Sequence, residues 1–412
     1  MKNEVVVIGA GVVGASVALV LQAEGHKVLL IDRSEPCAGA SFGNAGAIVN
    51  GSCAPTAMPG IVIDVMKMLL QADMPLSIRP SYLPAILPWL IRFIWQSRVS
   101  AVTQNANGLY NLSQHAASSW QKLTQNTALS NLFAETGWLK VYESKSTFAG
   151  TAKSRKLMDQ LGSPYEVLNK AEIMDLEPNL APIFEYGFFQ KDSMSIRNPD
   201  ALVRGMVDLF CEQGGRYEQF EVKDLVVNEN EIQLRSDRGT IEADKIVVAA
   251  GAWSKSITRQ LGDVVPLDTE RGYHLMFPQE TQSLLSRPVV NGESSFVLSP
   301  MQTGIRMTSQ VEFAGIYGKP KYERARKLIP AAKRMLPKLK ATEESAWLGF
   351  RPSLPDSLPV LSYSQNSKKV IYAFGHQHLG MTLGAVSAYA VADLVAEREP
   401  TLNLSPYRVS RF

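Results

Sequence analysis

The chain has 412 residues, of which 45% are hydrophobic and 20% charged, and its formal net charge is +3. This composition is that of an ordinary globular protein long enough for two domains with hydrophobic cores. The small net charge argues against a nucleic-acid partner, and no apolar run is long enough to span a bilayer.

The chain has three cysteines, Cys37, Cys53 and Cys211. They show neither metal-ligand spacing nor the even framework of a disulfide-rich protein. We therefore predict no metal site and a reducing, cytoplasmic location.

The opening segment has the pattern of a nucleotide-binding βαβ unit. Val5 to Ile8 is an apolar run that predicts a buried strand, and Ala15 to Glu24 predicts a helix. Lys27 to Ile31 predicts a second buried strand, which Asp32 closes. Between the first strand and the helix stands the sequence GAGVVG, a G-x-G-x-x-G fingerprint in its full context.

Each glycine of this fingerprint has a physical role. Gly9 permits the tight turn, Gly11 lets a pyrophosphate approach the backbone, and Gly14 lets helix and strand pack closely. The helix N-terminus offers free N–H groups to the phosphates, and Asp32 is spaced to accept a hydrogen bond from a ribose hydroxyl. The alternatives are a glycine turn without a ligand and a signal peptide led by Lys2.

Two further segments qualify as ligand or surface elements. The loop Ala40 to Gly46 is small and glycine-rich, and the side chains of Ser41 and Asn44 could help it enclose a cofactor. Within the mostly helical residues 58–127, the run Leu83 to Trp95 is strongly apolar. Burial of this run is the favoured interpretation, and an apolar surface that touches a membrane is the alternative.

The rest of the chain alternates between strand and helix patterns. The last predicted strand ends in the sequence GHQHLGMT, which leads into a helix whose dipole could face an electron-rich ring or a developing anion. Strands are predicted at 137–142, 165–168, 187–190, 220–228, 231–235, 245–250, within 295–310 and at 370–374, and helices at 61–70, 152–161, 199–213, 322–335 and from 380 to about 397.

A set of motifs, in this order, gives the chain a family resemblance. They are the N-terminal fingerprint, ASFGNAG (40–46), VVAAGAW (247–253), RGYH (271–274), GFRPSLPDSLPV (349–360) and GHQHLGMTLG (375–384). The set resembles the FAD-dependent D-amino-acid oxidase and glycine oxidase superfamily over nearly the whole chain. The segments at 40–60 and 72–84 are similar to its bacterial D-amino-acid dehydrogenase branch of small-subunit type, whereas RPSLPDSLPV is also similar to D-hydroxyproline dehydrogenases.

The resemblance implies a mixed α/β fold, in which a Rossmann-like FAD-binding domain is interwoven with an antiparallel-sheet substrate-binding domain. The implied FAD-binding domain comprises residues 1–80, 195–260 and 345–412, and the substrate-binding domain 81–194 and 261–344. FAD would be non-covalent, since no cysteine follows Cys211. The implied cofactor-binding residues are Gly9, Gly11, Val12, Val13, Gly14, Asp32, Arg33, Ser41, Asn44, Ala45, Gly46, Val222, Gly251, Gly375, His376, Gly380, Met381 and Thr382.

The resemblance also implies an activity, the oxidative deamination of D-amino acids to 2-oxo acids and ammonia by hydride transfer to flavin N5. Arg351 would clamp the substrate carboxylate with its planar fork, Tyr273 would add a phenol hydrogen bond, and His376 would lie beside the flavin without acting as a base. Electrons would pass to a quinone or another carrier, with peripheral contact to the inner face of the cytoplasmic membrane through residues 83–95.

Four alternatives remain open from the sequence. The substrate could be D-proline or D-hydroxyproline, or the protein could be a glycine- or sarcosine-type oxidase that uses O₂. It could instead be a flavin-binding subunit of a larger complex, without activity of its own. An NAD-dependent dehydrogenase is the fourth alternative.

Overall fold

The structure is a computed structural model that describes residues 3–62, 65, 76–228 and 231–412. Most of the helix predicted at 61–70 lies outside these residues, as does Lys2, on which the signal-peptide alternative depends.

The strands and helices of the described residues are numbered here in chain order. Strands β1 to β20 are Asn3–Ile8, Val28–Asp32, Ala47–Ile48, Leu76–Ile78, Phe133–Ala134, Trp138–Tyr142, Glu166–Asn169, Tyr186–Gln190, Met194–Ile196, Arg216–Gln219, Asp224–Val227, Ile232–Ser236, Gly239–Val248, Asp268–Met276, Val289–Asn291, Phe296–Met301, Gly304–Phe313, Ser345–Ser353, Val360–Tyr363 and Val370–Phe374. Helices α1 to α12 are Val12–Ala23, Leu83–Gln96, Val99–Ser113, Ala116–Thr124, Lys145–Ala149, Ala152–Leu161, Lys170–Leu176, Pro199–Glu212, Ser254–Gln260, Glu323–Arg326, Ile329–Met335 and Gly380–Val395.

The first sheet has a parallel centre. Strands β10, β2, β1, β13 and β20 run parallel to one another, and β11, β12 and β19 add antiparallel pairs. The centre is apolar on both faces because helices cover one face and the β11–β12 meander with α9 covers the other. The carboxyl ends of parallel strands lie at one edge, which is where ligands bind in such sheets.

The second sheet is mostly antiparallel. Its strand order is β18-β14-β17-β16-β15-β6-β8-β7, and β4 pairs with the end of β17. One face packs on α7, α10 and α11 around Leu139, Val141 and Leu275. Because side chains alternate along a strand, the neighbours of these residues face the other way, towards the first sheet.

Helix α2 has two apolar faces. Ile86, Trp89, Leu90 and Phe93 are buried, so the expectation of burial holds for that face. The opposite face exposes a row of large apolar side chains, Leu87, Ile91 and Trp95, with exposed fractions of 48%, 61% and 60%.

Two elements differ from their predicted bounds. The helix predicted at 322–335 is two helices, α10 and α11, because Pro330 has no N–H for a helix interior and stands instead in the first turn of α11. The strand predicted at 245–250 begins earlier, at Gly239, because its first half pairs with β12 in a hairpin.

The two-domain division stays a prediction, but the sheets can be compared with it. All eight strands of the first sheet lie in segments assigned to the FAD-binding domain. The second sheet includes β18 and β4, which lie inside segments assigned to that domain. Helices α3 and α4, from a segment assigned to the substrate domain, join the core around α1 and α12.

Candidate functional site

A cavity of about 930 Å³ lies between the two sheets. Its walls include the carboxyl ends of the parallel strands, the first turns of α1 and α12, and the inner face of the second sheet. Both Asp32 and Arg351 line it, so the cavity joins the two regions that the sequence singled out.

The glycine turn after β1 forms part of the wall. Gly9 has φ +112°, and a methyl group on it would lie 2.5 Å from the Ala249 carbonyl oxygen. A methyl group on Gly14 would lie 1.7 Å from the Gly9 carbonyl oxygen, so only glycine permits this helix–strand contact. Gly11 begins α1 without a side-chain cap, while the Val12 N–H donates to Ser41 Oγ at 2.9 Å.

The carboxylate of Asp32 fixes this turn. It accepts hydrogen bonds from the N–H groups of Ala10, at 2.7 Å, and Ser34, at 2.9 Å. Burial raises the pKa of Asp32, and these two N–H groups oppose that rise. The Arg33 guanidinium lies 3.7 Å above the centre of the Trp253 ring, and both residues line the cavity.

The loop 40–46 is held by a residue that the sequence analysis missed. Arg306 is buried on β17, and its Nη1 donates to the carbonyl oxygens of Phe42, at 2.8 Å, and Asn44, at 2.7 Å. Asn44 Oδ1 in turn accepts from the Gly46 N–H at 2.8 Å. Burial lowers the pKa of Arg306 to about 10, so the guanidinium remains charged at neutral pH.

An aromatic group packs under the same loop. A methyl group on Gly43 would lie 1.8 Å from the Trp347 ring, so the loop rests directly on this indole. Trp347 also stacks on His274, with ring centres 5.2 Å apart. Burial lowers the pKa of His274 to about 3, so the imidazole is neutral at physiological pH.

The turn before α12 forms the third part of the wall. His376 is buried and its Nε2 forms a hydrogen bond with Ser387 Oγ at 3.0 Å. Burial lowers the pKa of His376 to about 3, which fits a neutral ring that lines the cavity. Thr382 Oγ1 accepts from the Val49 N–H at 3.2 Å and donates to the Ala47 carbonyl at 3.3 Å.

Arg351 lines the cavity from β18. Its guanidinium lies over Gly272 on the neighbouring strand β14, where a methyl group would lie 2.4 Å from Cζ. Nη1 donates to the Gln310 carbonyl at 3.2 Å. Glu270 is its register partner on β14. Burial lowers the pKa of Arg351 and raises that of Glu270, and each charge opposes the other's shift.

Tyr273 is among the residues that line the cavity, and its hydrogen bond to a substrate carboxylate stays a prediction. It is fully buried, in the core behind the second sheet, and its hydroxyl donates to Glu312 Oε2 at 2.7 Å. The Lys321 N–H donates to the same phenol oxygen at 3.1 Å. The hydroxyl is therefore engaged on the face opposite to Glu270 and Gly272, because residue 273 has the other parity on β14.

The structure brings most of the predicted cofactor-binding residues to the cavity and leaves three outside its lining. In the lining are Gly9, Gly11, Val12, Val13, Asp32, Arg33, Ser41, Asn44, Ala45, Val222, Gly251, His376, Gly380, Met381 and Thr382. Gly14, Gly46 and Gly375 support the wall through close packing against Gly9, Ile196 and Leu354. The roles of these residues in cofactor binding stay predictions.

The sequence analysis missed Lys140, Glu270, Arg306 and Trp347, which lie in or beside the cavity wall. The available signal was strand alternation. In WLKVY (138–142), for example, Leu139 and Val141 are core residues, so the first, third and fifth residues share the opposite face of the strand. The third of these five residues is Lys140.

The chain is similar to known proteins over nearly its whole length. Residues 4–394 match the family described as FAD dependent oxidoreductase. A D-amino-acid oxidase from Bradyrhizobium diazoefficiens is 34% identical, with 100% of this chain and 99% of the relative covered. A D-amino acid dehydrogenase from Vibrio cholerae is 30% identical over 97% of this chain and 96% of the relative.

Solved structures share the architecture. Glycine oxidase from Geobacillus kaustophilus superposes with a TM-score of 0.74 at 20% identity, covering 100% of this chain and 99% of that one. L-proline dehydrogenase from P. horikoshii gives a TM-score of 0.74 at 18% identity, covering 100% and 98%. These matches confirm the predicted mixed α/β fold of interwoven sheets.

Proposed function

The chain belongs to the FAD-dependent oxidoreductase family, and from that premise we propose that it oxidises D-amino acids to 2-oxo acids and ammonia. The observation that carries the proposal is Arg351, an arginine of the cavity lining that is held over Gly272. A planar guanidinium matches a carboxylate with two parallel hydrogen bonds. The names of the full-length relatives support a D-amino acid as the source of that carboxylate.

The residues around the cavity fit FAD, the cofactor of this family. The glycine turn and the first turns of α1 and α12, whose N-cap side chains make no capping hydrogen bond, offer N–H groups to anionic and electron-rich groups. We propose that Gly11, Val12 and Asp32 hold the nucleotide half, while the turn at 375–382 and the loop 40–46 hold the flavin half. We further propose that binding is non-covalent.

The chain's own residues orient the substrate and exclude water. Arg351 would fix the α-carboxylate, so that the Cα–H bond of a D-amino acid faces the flavin. Bound FAD supplies the redox chemistry by accepting the Cα hydrogen as a hydride. Neutral His376, bonded to Ser387, holds its place in the wall without taking a proton. The imino acid released then reacts with water to give the 2-oxo acid and ammonia.

The experiment that tests the proposal is anaerobic mixing of the yellow protein with D- and L-amino acids, including D-proline and D-hydroxyproline. We expect the flavin absorbance to bleach with D-amino acids and not with their L-enantiomers. A yellow protein that no amine bleaches would contradict the proposal and favour a flavin-binding subunit. Slow reoxidation on admitting air would identify a dehydrogenase, and rapid reoxidation with H₂O₂ an oxidase.

We propose that the electrons pass to a quinone or another carrier, and that the exposed face of α2 touches the membrane. Residues 76–134 contain no aspartate or glutamate. Arg92 is on the same helix as the apolar row, and the Arg98 guanidinium lies over the Trp95 ring. These two charges and the apolar row of Leu87, Ile91 and Trp95 suit an anionic lipid surface. No helix among the described residues is long and apolar enough to cross a membrane.

Co-sedimentation with phosphatidylglycerol vesicles tests this contact. Replacing Leu87, Ile91 and Trp95 together with serine is expected to lower partitioning about tenfold or more, because the apolar area inserted at the interface is lost. The matched control is Val264→Ser with Tyr317→Ser, at exposed positions elsewhere on the surface. Equal vesicle binding by wild type and the triple variant would refute the contact.

A further inference from the structure

Lys140 is a lysine inside the cavity that the proposed reaction does not use. It lies on β6, between Leu139 and Val141, which are fully buried in the core behind the second sheet. The alternation of the strand therefore directs Lys140 to the other face, with Trp138 and Tyr142, and all three residues line the cavity.

No carboxylate among the described residues lies within ion-pair distance of the Lys140 ammonium. Its recorded contact is with the Phe188 ring, whose centre is 5.7 Å from Nζ. Cys53, a buried thiol, is near enough for each group to affect the other's pKa. The Lys140 ammonium is half-buried and has lost hydration without gaining an anionic partner among the described residues, which is costly.

Lys140 and Arg351 both line the cavity, although four strands separate β6 from β18 in the sheet order. His378 belongs to the same lining, and the Gln377 N–H beside it donates to the Pro352 carbonyl at 2.9 Å, next to Arg351 on β18. Burial lowers the pKa of His378 to about 4, and the charges of Arg351 and Lys140 lower it further in the same direction. His378 is therefore a common neighbour of the two cations.

Lys140 and Arg351 differ in their anionic neighbours. Glu270, a carboxylate in the cavity lining, is the register partner of Arg351. Arg351 also affects the pKa of Glu270, whereas Lys140 does not. Of these two cations, Arg351 therefore has a neighbouring carboxylate and Lys140 has none among the described residues.

We propose that the preferred substrate is an acidic D-amino acid, of the aspartate or glutamate class, whose α-carboxylate binds Arg351 and whose side-chain carboxylate binds Lys140. The inference rests on the proposed function, because it concerns the substrate of that site. A second carboxylate on the substrate would pair with the Lys140 ammonium, which has no carboxylate partner among the described residues. A neutral substrate side chain would leave the Lys140 charge unpaired. The cost of desolvating that unpaired ammonium therefore favours acidic over neutral substrates.

The test compares acidic substrates with their amides, which have nearly the same shape. We expect kcat/KM for D-glutamate over D-glutamine, or for D-aspartate over D-asparagine, to be about a hundredfold or more in the wild type. Lys140→Met is expected to abolish the preference by lowering the value for the acid, while the amide changes little. Lys333→Met, an exposed lysine on α11 behind the sheet, is the matched control and should keep the preference.

A binding measurement keeps the inference testable without turnover. Titration of the wild-type flavoprotein with glutarate and with butyrate, followed by the flavin spectrum, should show glutarate binding at least tenfold more tightly. This measurement also decides the question if Lys140→Met fails to fold.

The inference is overturned if the wild type prefers the amides, if glutarate binds no better than butyrate, or if Lys140→Met lowers acid and amide turnover equally. Bleaching by D-alanine but by no acidic D-amino acid would refute this inference alone. The proposed function fails separately, when no D-amino acid bleaches the flavin, whatever glutarate does.

Discussion

Arg351→Met is expected to lower kcat/KM for the D-amino acid by about a thousandfold while FAD remains bound. The loss corresponds to about 4 kcal/mol, in the range measured when one partner of a buried, hydrogen-bonded charge pair is removed. The substrate carboxylate would then enter the cavity without a cation, and Glu270 would lose its neighbouring positive charge. Stopped-flow bleaching and the flavin-to-protein absorbance ratio measure the two parts of this expectation.

Two further variants separate charge from geometry at this site. Arg351→Lys keeps the positive charge but loses the fork, so we expect it to recover only part of the lost activity. Gly272→Ala leaves the arginine in place, but its methyl group would lie 2.4 Å from Cζ, so the guanidinium must move. We expect this variant to raise KM more than it lowers kcat.

The exposed Arg408 provides the control, since Arg408→Met removes a guanidinium far from the cavity lining. Retention of a tenth or more of wild-type kcat/KM by Arg351→Met would show that another group binds the carboxylate.

Gly14→Ala is expected to yield a protein that binds less than about a tenth of the wild-type FAD. The added methyl group would lie 1.7 Å from the Gly9 carbonyl oxygen, and backbone cannot move aside as a flexible side chain can. Helix α1 is buried over most of its length, so it cannot shift without disturbing the core. Overpacking of this kind costs about 3 kcal/mol, against a gain of about 1 kcal/mol in helix propensity.

The flavin content and the urea midpoint of unfolding measure this effect. Ala23→Ser is the matched control, because Ala23 is an exposed residue at the end of the same helix and lies outside the cavity lining. If Gly14→Ala binds FAD stoichiometrically and unfolds at the wild-type midpoint, the close contact of α1 and β1 is not what forms the site.

Helix α2 and Tyr273 show which features a sequence pattern does not predict, namely the burial and the direction of individual side chains. Apolar residues along 83–95 predict a helix, but burial of Trp89 and exposure of Trp95 depend on which neighbours the helix meets. RGYH predicts a strand near the site, but the partners of β14 decide that Glu270 and Gly272 face the cavity while the Tyr273 hydroxyl bonds Glu312.

By itself, the sequence determined the glycine turn after β1, the mixed α/β fold and the family. The reason is that the βαβ unit is local: its glycines, strands and Asp32 lie within about thirty residues, and strand–turn–helix geometry ties them together. The tertiary structure alone decided which side chains surround Arg351 in the cavity and beside it. Gly272, Arg306 and Lys140 come from three other strands far apart in the chain, and only strand pairing and register set which of their side chains face the cavity.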